Sequence, residues 1–153
     1  MLHLWLLLRS GEGPRTWRRL PLIGSVTLSG IVYGSFQNAF LGYKMDARYV
    51  RRGYMKEALA TVMDYAFGEL ELHRLEANVM PRNTASLALL RSLGFREEGL
   101  AAAYLQIQGV WEDHLHMVML REQWRRGEVA DRVREAGAVA SHGGRPMKSV
   151  SRP

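Results

Sequence analysis

The chain has 153 residues, a formal net charge of +6 and no cysteine. A chain of this length fits one domain and can bury roughly two thirds of its unfolded surface, so it needs no covalent staple to form a core. Without cysteine there is no disulfide framework, thiolate zinc site or cysteine nucleophile, and a cytoplasmic protein is expected. Only Lys44, Lys56 and Lys148 of the 21 basic residues are lysines. Such a charge favours anionic partners (nucleic acid, ribosomes or a phosphorylated cofactor), unless the arginines reflect only the composition of the proteome.

The first eight residues are almost entirely apolar. They predict a short buried helix, because the run is far shorter than the roughly 20 residues of a membrane span and lacks a basic leader and a cleavage site. No membrane association is expected. From Pro21 onward β-forming residues recur, and a turn at residues 33–35 separates two such runs. This pattern predicts an antiparallel hairpin.

A glycine turn at Gly53 precedes an amphipathic helix. Apolar residues at helical spacing from Met55 to Leu70 predict one buried face. The first backbone amides of a helix have no intrahelical acceptor, and with the helix dipole they suit a phosphate group. Residues 51–56 are therefore a candidate anion-binding loop, although an ordinary turn before a helix has the same pattern when taken alone.

The second half of the chain continues with a strand, a helix and a hairpin. Residues 72–80 alternate apolar and polar side chains, as a half-buried strand does. The order strand, helix, strand predicts parallel pairing with a right-handed crossover. Asn83 is a suitable N-cap for a second helix that ends at Gly94. Beyond it, a second hairpin with its turn at residues 108–109 is predicted.

Two segments near the end of the chain differ in composition. Residues 121–136 predict a charged helix that completes a domain of residues 1–136. Residues 137–153 are rich in Gly, Ser, Pro and Arg and have nothing to bury, so they are expected to form a flexible basic tail.

Several motifs occur in a fixed order between about residues 23 and 124. They are Gly53-Tyr54-Met55 with Glu57-Ala58, then residues 76–86, Leu93-Gly94-Phe95 and Glu98-Gly99-Leu100. No single motif is decisive, but the ordered set is quite specific. It resembles the GCN5-related N-acetyltransferase (GNAT) superfamily, and within it the ribosomal-protein alanine/serine N-terminal acetyltransferase branch of the RimJ and RimL type.

The resemblance implies an α/β fold with a mixed, mostly antiparallel sheet and helices on both faces. The sheet splays open between its fourth and fifth strands, and acetyl-CoA lies in the gap. Here the fourth strand would end near Met45, the fifth would span residues 74–80, and the phosphate loop would be residues 51–56. The family usually has Arg or Gln at the place of Val50 and Gly or Ala at that of Met55, but such loops bind mostly through backbone. The first strand and part of the N-terminal helices, which help form the acceptor site, are expected to be missing.

The resemblance also implies which residues bind acetyl-CoA. Asn83 and Ser86 would lie beside the pantetheine arm and the thioester, whereas Met45 and Asp46 would offer backbone groups to the pantetheine amides. Asn78 would lie where the strands part, with the satisfaction of backbone groups as its alternative role. The implied cofactor-binding set is Met45, Asp46, Arg51, Arg52, Gly53, Tyr54, Met55, Lys56, Asn78, Asn83 and Ser86.

Three residues are candidates for proton transfer. Ser86 would donate to the departing sulfur, with helix capping as the alternative. Tyr104 is the second candidate acid, since tyrosine often fills that role in the superfamily, and packing is its alternative. Glu76 is the candidate that accepts the amine's proton, with an ion pair to a nearby arginine as the alternative.

Charged and aromatic residues of the last hairpin are candidates for contact with the acceptor. Trp111, Glu112 and Asp113 could attract a cationic N-terminus, although Asp113 could instead fix a neighbouring loop. His114 and His116 lie two apart on a strand and hence on one face, but no third ligand accompanies them, so no metal site is expected.

The predicted function is transfer of acetyl from acetyl-CoA to an amine, by direct attack on the thioester. The first-choice acceptor is the N-terminal α-amino group of a ribosomal protein. The alternatives are a small amine, such as an antibiotic or a polyamine, and an inactive domain that binds coenzyme A or ribosomes. Ribosome association and a homodimer are further expectations.

Overall fold

The computed structural model describes residues 1–8 and 20–124. These residues form six strands and two α-helices, with short 3-10 helices at Ala47–Tyr49 and Arg121–Gln123. The elements are β1 (Leu2–Leu7), β2 (Leu22–Val32), β3 (Asn38–Met45), α1 (Tyr54–Gly68), β4 (Arg74–Val79), α2 (Thr84–Ser92), β5 (Arg96–Ile107) and β6 (Val110–Leu120). Both predicted hairpins and both predicted internal helices are present. The expected charged helix lies outside the described residues from residue 125 onward, as does the expected basic tail.

The N-terminal apolar run forms the strand β1, so the predicted helix is wrong. β1 pairs antiparallel with β2, and Leu4 lies opposite Val26. Leu2, Leu4 and Leu6 pack partly against the core, whereas the side chains between them are exposed. Burial therefore alternates with the period of two that is typical of a strand. The alternation is not visible as an apolar–polar pattern in the sequence, because the exposed Trp5 is also apolar.

The sheet has the strand order β1-β2-β3-β4-β6-β5. Its neighbouring strands pair antiparallel except β3 and β4, which are parallel as predicted. The parallel pairing is short, because it joins only Asn38–Phe40 of β3 to Arg74–Glu76 of β4. Beyond those residues the two strands are not paired with each other, so the predicted opening between them is present.

The core lies on one face of this sheet. Alternate strand residues such as Leu28, Leu41, Leu75 and Met117 form a single buried cluster with the helices. α1 contributes seven buried residues to it, and α2 contributes Leu87 and Leu90. Both described helices therefore cover the same face. The opposite face carries neither α1 nor α2.

Candidate active site

A cavity of about 550 Å³ lies where β3 and β4 part. Three segments form its wall: the end of β3, the loop that leads into α1, and the first turn of α2. The predicted residues in this wall are Met45, Arg51, Arg52, Gly53, Tyr54, Met55, Lys56, Asn83 and Ser86. The wall also contains Tyr43, Tyr49, Val50, Ala85 and Leu89, which the sequence did not single out for binding.

The loop before α1 leaves the first turn of the helix without a side-chain cap. Gly53 is the N-cap of α1, has a φ of 84° and provides no side-chain hydrogen bond to the helix. A Cβ built on Gly53 meets no atom within 4 Å, so its left-handed backbone, not lack of space, favours glycine. The first amides of α1 are consequently left for a ligand in the cavity.

The two departures from the family's loop pattern, Val50 and Met55, both lie in the wall of this cavity. The side chain of Val50 is largely exposed, with 48% of its surface accessible. Met55 is 7% exposed and packs into the core cluster beneath the helix.

The first turn of α2 joins the end of β3 through two hydroxyl groups. Asn83 caps the helix, since its Oδ1 accepts a hydrogen bond of 3.2 Å from the Ser86 amide. The Ser86 hydroxyl lies 2.5 Å from the Tyr43 hydroxyl. Capping, the alternative role for Ser86, is thus filled by Asn83, and the Ser86 hydroxyl is engaged with Tyr43 in the cavity wall.

Burial raises the pKa of Tyr43, and the hydrogen bond to Ser86 opposes that rise. Tyr43 therefore stays protonated at neutral pH and keeps a hydroxyl proton within the cavity wall. The sequence contained a signal for this residue, because Tyr43 lies two positions before Met45 on one strand and hence shares its face.

Two predicted cofactor residues lie outside the wall. Asp46 uses its backbone within the fold, since its amide donates to Ile23 O and its carbonyl accepts from the Tyr49 amide, both at 2.9 Å. Its carboxylate binds Arg48, and that hydrogen bond lowers the pKa of Asp46 to about 2. Asp46 thus shapes the loop and has neither backbone group free for pantetheine.

Asn78, the second of these residues, has a buried Oδ1 without a hydrogen-bond partner in the described structure.

Glu76 and Tyr104 lie on the opposite face of the sheet from Ser86. Glu76 Oε2 accepts a hydrogen bond of 3.0 Å from Arg74, so the ion-pair alternative for this residue is present. Its other carboxylate oxygen, Oε1, lies 2.8 Å from Nδ1 of His116. The Tyr104 ring packs edge-on against the His116 ring, with centroids 4.8 Å apart. The structure brings Glu76 and Tyr104 together around His116.

The acidic residues of the last hairpin are both engaged within the fold. Asp113 accepts a hydrogen bond of 2.7 Å from the Ala103 amide, which is the loop-fixing alternative. Glu112 accepts two hydrogen bonds of 2.7 Å from Arg82, and these lower the pKa of Glu112. Neither carboxylate is left unpaired for a cationic acceptor.

Within residues 1–8 and 20–124, no group of three or more metal-ligating side chains is close enough to hold a metal ion. No helix in that same part of the chain has both the length and the apolar character to cross a membrane.

Known proteins are similar to this chain in sequence and in fold. The acetyltransferase (GNAT) domain model matches residues 3–96. The probable N-acetyltransferase YjcK of Bacillus subtilis (strain 168) is 50% identical over 99 residues, covering 65% of this chain and 55% of that protein. The ribosomal protein uS5-alanine N-acetyltransferase of Escherichia coli (strain K12) is 39% identical over 106 residues, covering 69% of this chain and 55% of that protein.

A solved structure extends the likeness to the fold. Mycobacterium smegmatis RimJ in complex with CoA-disulfide superposes with a TM-score of 0.71 and 37% identity, covering 76% of this chain and 56% of that one. The chain therefore spans a little over half the length of the proteins it matches here.

Proposed function

The chain belongs to the acetyltransferase (GNAT) domain family, and on that premise we propose that it transfers an acetyl group from acetyl-CoA to the N-terminal α-amino group of a ribosomal protein. One observation carries the proposal. The N-termini of α1 and α2 converge on one cavity of about 550 Å³, beside the end of β3 that β4 leaves unpaired.

The residues of this cavity fit a ligand with phosphates at one end and amides along its length. The first amides of α1 would bind the pyrophosphate, and Arg51 and Arg52 would add positive charge beside it. The unpaired backbone edge at residues 41–45 would bind the pantetheine amides as a neighbouring strand would. Acetyl-CoA supplies the acetyl thioester, and the first turn of α2 would lie beside it.

Acetyl transfer forms a C–N bond and breaks a C–S bond, so the amine must lose a proton and the sulfur must gain one. Tyr43 and Ser86 would donate a hydrogen bond to the departing sulfur from their linked hydroxyls. The raised pKa of Tyr43 supports this role, because it keeps the donor protonated at neutral pH.

The acceptor is inferred from relatives. The name of the Escherichia coli protein states an alanine of ribosomal protein uS5 as its target, and its sequence is 39% identical to this chain. The net charge of +6 supports association with the anionic ribosome. Small amines are the competing acceptors, and spermidine represents them in the test.

Calorimetry with acetyl-CoA tests cofactor binding, and the variant Gly53→Glu tests the position of the phosphate site. We expect the acetyl-CoA Kd to rise more than about tenfold in Gly53→Glu, because the new carboxylate repels the pyrophosphate. Gly34→Glu is the matched control, since both glycines have positive φ (75° and 84°) and open space around a built Cβ. Gly34 lies in the turn at the other end of the β2–β3 hairpin. Equal Kd values in both variants would show that the loop is misplaced.

Mass spectrometry of the products tests the acceptor. We expect acetylation of a peptide with the N-terminal sequence of ribosomal protein uS5 and little acetylation of spermidine under the same conditions. The opposite preference would replace the proposed acceptor by a small amine. Binding of acetyl-CoA without any acetylated product would favour a domain that binds the cofactor without turnover.

A further inference from the structure

A second cavity, of about 280 Å³, lies on the face of the sheet away from α1 and α2. Arg74, Glu98, Leu100 and His116 contribute to its wall. The ionisable residues of this wall are linked, because Arg74 donates hydrogen bonds to both Glu98 and Glu76. His116 completes the group through its contact with Glu76.

The hydrogen bond between His116 and Glu76 determines which ring nitrogen of His116 carries the hydrogen. Glu76 is 7% exposed, and its Oε1 lies 2.8 Å from His116 Nδ1. An ionised carboxylate only accepts hydrogen bonds, so Nδ1 carries the hydrogen and donates it. In neutral His116 the free lone pair is therefore on Nε2, and the side chain is 23% exposed in the wall of the cavity.

His116 also lies close to the opening of the sheet. Its partner in the β4–β6 register is Asn78, beyond Glu76, where the pairing of β3 with β4 stops. Neighbouring strands are about 4.8 Å apart, so His116 is one strand away from the gap. The unpaired Asn78 Oδ1 is buried beside the same gap.

The groups packed around the His116 ring come from three strands. Glu76 and Arg74 approach it from β4, and Tyr104 and Glu98 from β5. His114 precedes it by two residues on β6, and its own Nδ1 donates a hydrogen bond of 2.9 Å to the Glu112 carbonyl. Of the two histidines, both have a hydrogen-bonded Nδ1, but His116 is the one that lies in the cavity wall.

We propose that His116 is the general base that takes the proton of the acceptor amine, and that Glu76 is the positioning residue that holds its ring. This inference rests on the proposed acetyl transfer, and it moves the base from Glu76 to its partner. As the amine nitrogen bonds to the carbonyl carbon, its proton passes to Nε2, and the C–S bond breaks. The thiolate takes a proton from water or from the Tyr43–Ser86 pair, which then regains one from solvent, and the imidazolium returns its proton to solvent. The free lone pair on Nε2 lets His116 accept this proton, as a general base positioned by a hydrogen bond at its other ring nitrogen.

The variant His116→Gln tests the base with acetyl-CoA and the uS5 N-terminal peptide. We expect kcat to fall about 100-fold and the acidic limb of its pH profile to disappear, with the acetyl-CoA Kd unchanged. His73→Gln is the control, because His73 is an exposed histidine outside both cavities. It should keep the rate and profile of the unmodified chain. A His116→Gln variant that kept kcat within threefold, or kept the acidic limb, would overturn the proposal.

Glu76→Gln separates positioning from catalysis. Glutamine keeps a hydrogen-bond acceptor but loses the charge that stabilises the imidazolium, so the acidic limb should move to lower pH. We expect the fall in kcat to be smaller than in His116→Gln. A fall in kcat without movement of the limb would make Glu76 merely structural and would contradict its assigned role.

If a variant does not fold, the proposal can still be tested by a measurement on the unmodified chain that needs no turnover. Nitrogen-15 NMR of the unmodified chain should show neutral His116 protonated at Nδ1, and a hydrogen on Nε2 would overturn the proposal. Failure of the proposed function is seen separately, as absence of acetyl-CoA binding or of acetylated product in the unmodified chain.

Discussion

Tyr43 and Ser86 connect the end of β3 to the first turn of α2 through their hydroxyl groups. Each residue comes from a different element, and the two are 43 positions apart in the chain. Ser86 was predicted from its place near a helix N-terminus, which is a local feature of the sequence. Tyr43 was missed because its role depends on the approach of α2 to β3.

The variant Tyr43→Phe tests this connection. We expect kcat to fall about tenfold with little change in the acetyl-CoA Kd, because the ring stays in the wall while the hydroxyl is lost. The free energy of unfolding should fall by about 0.5–1.5 kcal/mol, as for other lost hydrogen bonds. Steady-state kinetics and urea unfolding measure the two effects. Tyr65→Phe, at an exposed tyrosine of α1, should change neither, and an unchanged kcat in Tyr43→Phe would exclude a role for its hydroxyl.

For other residues the sequence indicated a role in the site but not the residues that they contact. Glu76 was expected beside a cleft, and the alternative of an ion pair with arginine is present. Its contact with His116, 40 positions away, could not be read from either residue. The separation of Glu76 and Tyr104 from Ser86 likewise depends on which face of the sheet each strand residue takes.

Elements differ in how clearly their sequences specify them. α1 and α2 have local signals at both ends, namely Gly53 before the first and Asn83 before the second. β1 has only six residues, and nearly all are apolar on both sides of the strand. Its pairing with β2, not its own composition, makes it a strand.

Substitutions at neighbouring positions of β1 test this alternation. We expect Leu4→Ala to lower the free energy of unfolding by about 1–2 kcal/mol, because Leu4 packs partly against the core. Trp5→Ala should lower it by less than about 0.5 kcal/mol, since Trp5 is 63% exposed. Urea unfolding of both variants gives the comparison. Equal losses would contradict the strand alternation described for β1.

In the whole molecule, the short parallel pairing of β3 with β4 creates the site. Only three residues of each strand pair, and the remaining part of β3 faces a cavity instead of a strand. Both helices lie on one side of the opening, and the Glu76–His116 contact lies on the other. The proposed cofactor and the proposed base thus reach the gap from opposite faces.

Hydrogen exchange tests whether a ligand completes the open edge of β3. On addition of coenzyme A, we expect amides in residues 41–45 and in the first turn of α1 to exchange about tenfold more slowly. The turn at residues 33–37 should be unaffected and serves as an internal control. Uniform slowing, or no change in residues 41–45, would contradict binding along this edge.

Local patterns and the ordered set of motifs were sufficient to predict α1, α2, both hairpins, the glycine loop and the family. The strand β1, the Tyr43–Ser86 pair and the contact of Glu76 with His116 became apparent only in three dimensions. These features depend on which distant residues face each other across the sheet, and side-chain periodicity within one segment does not contain that information. The loop at residues 51–56 has a local signal, whereas the cavity it borders exists only because β3 and β4 separate.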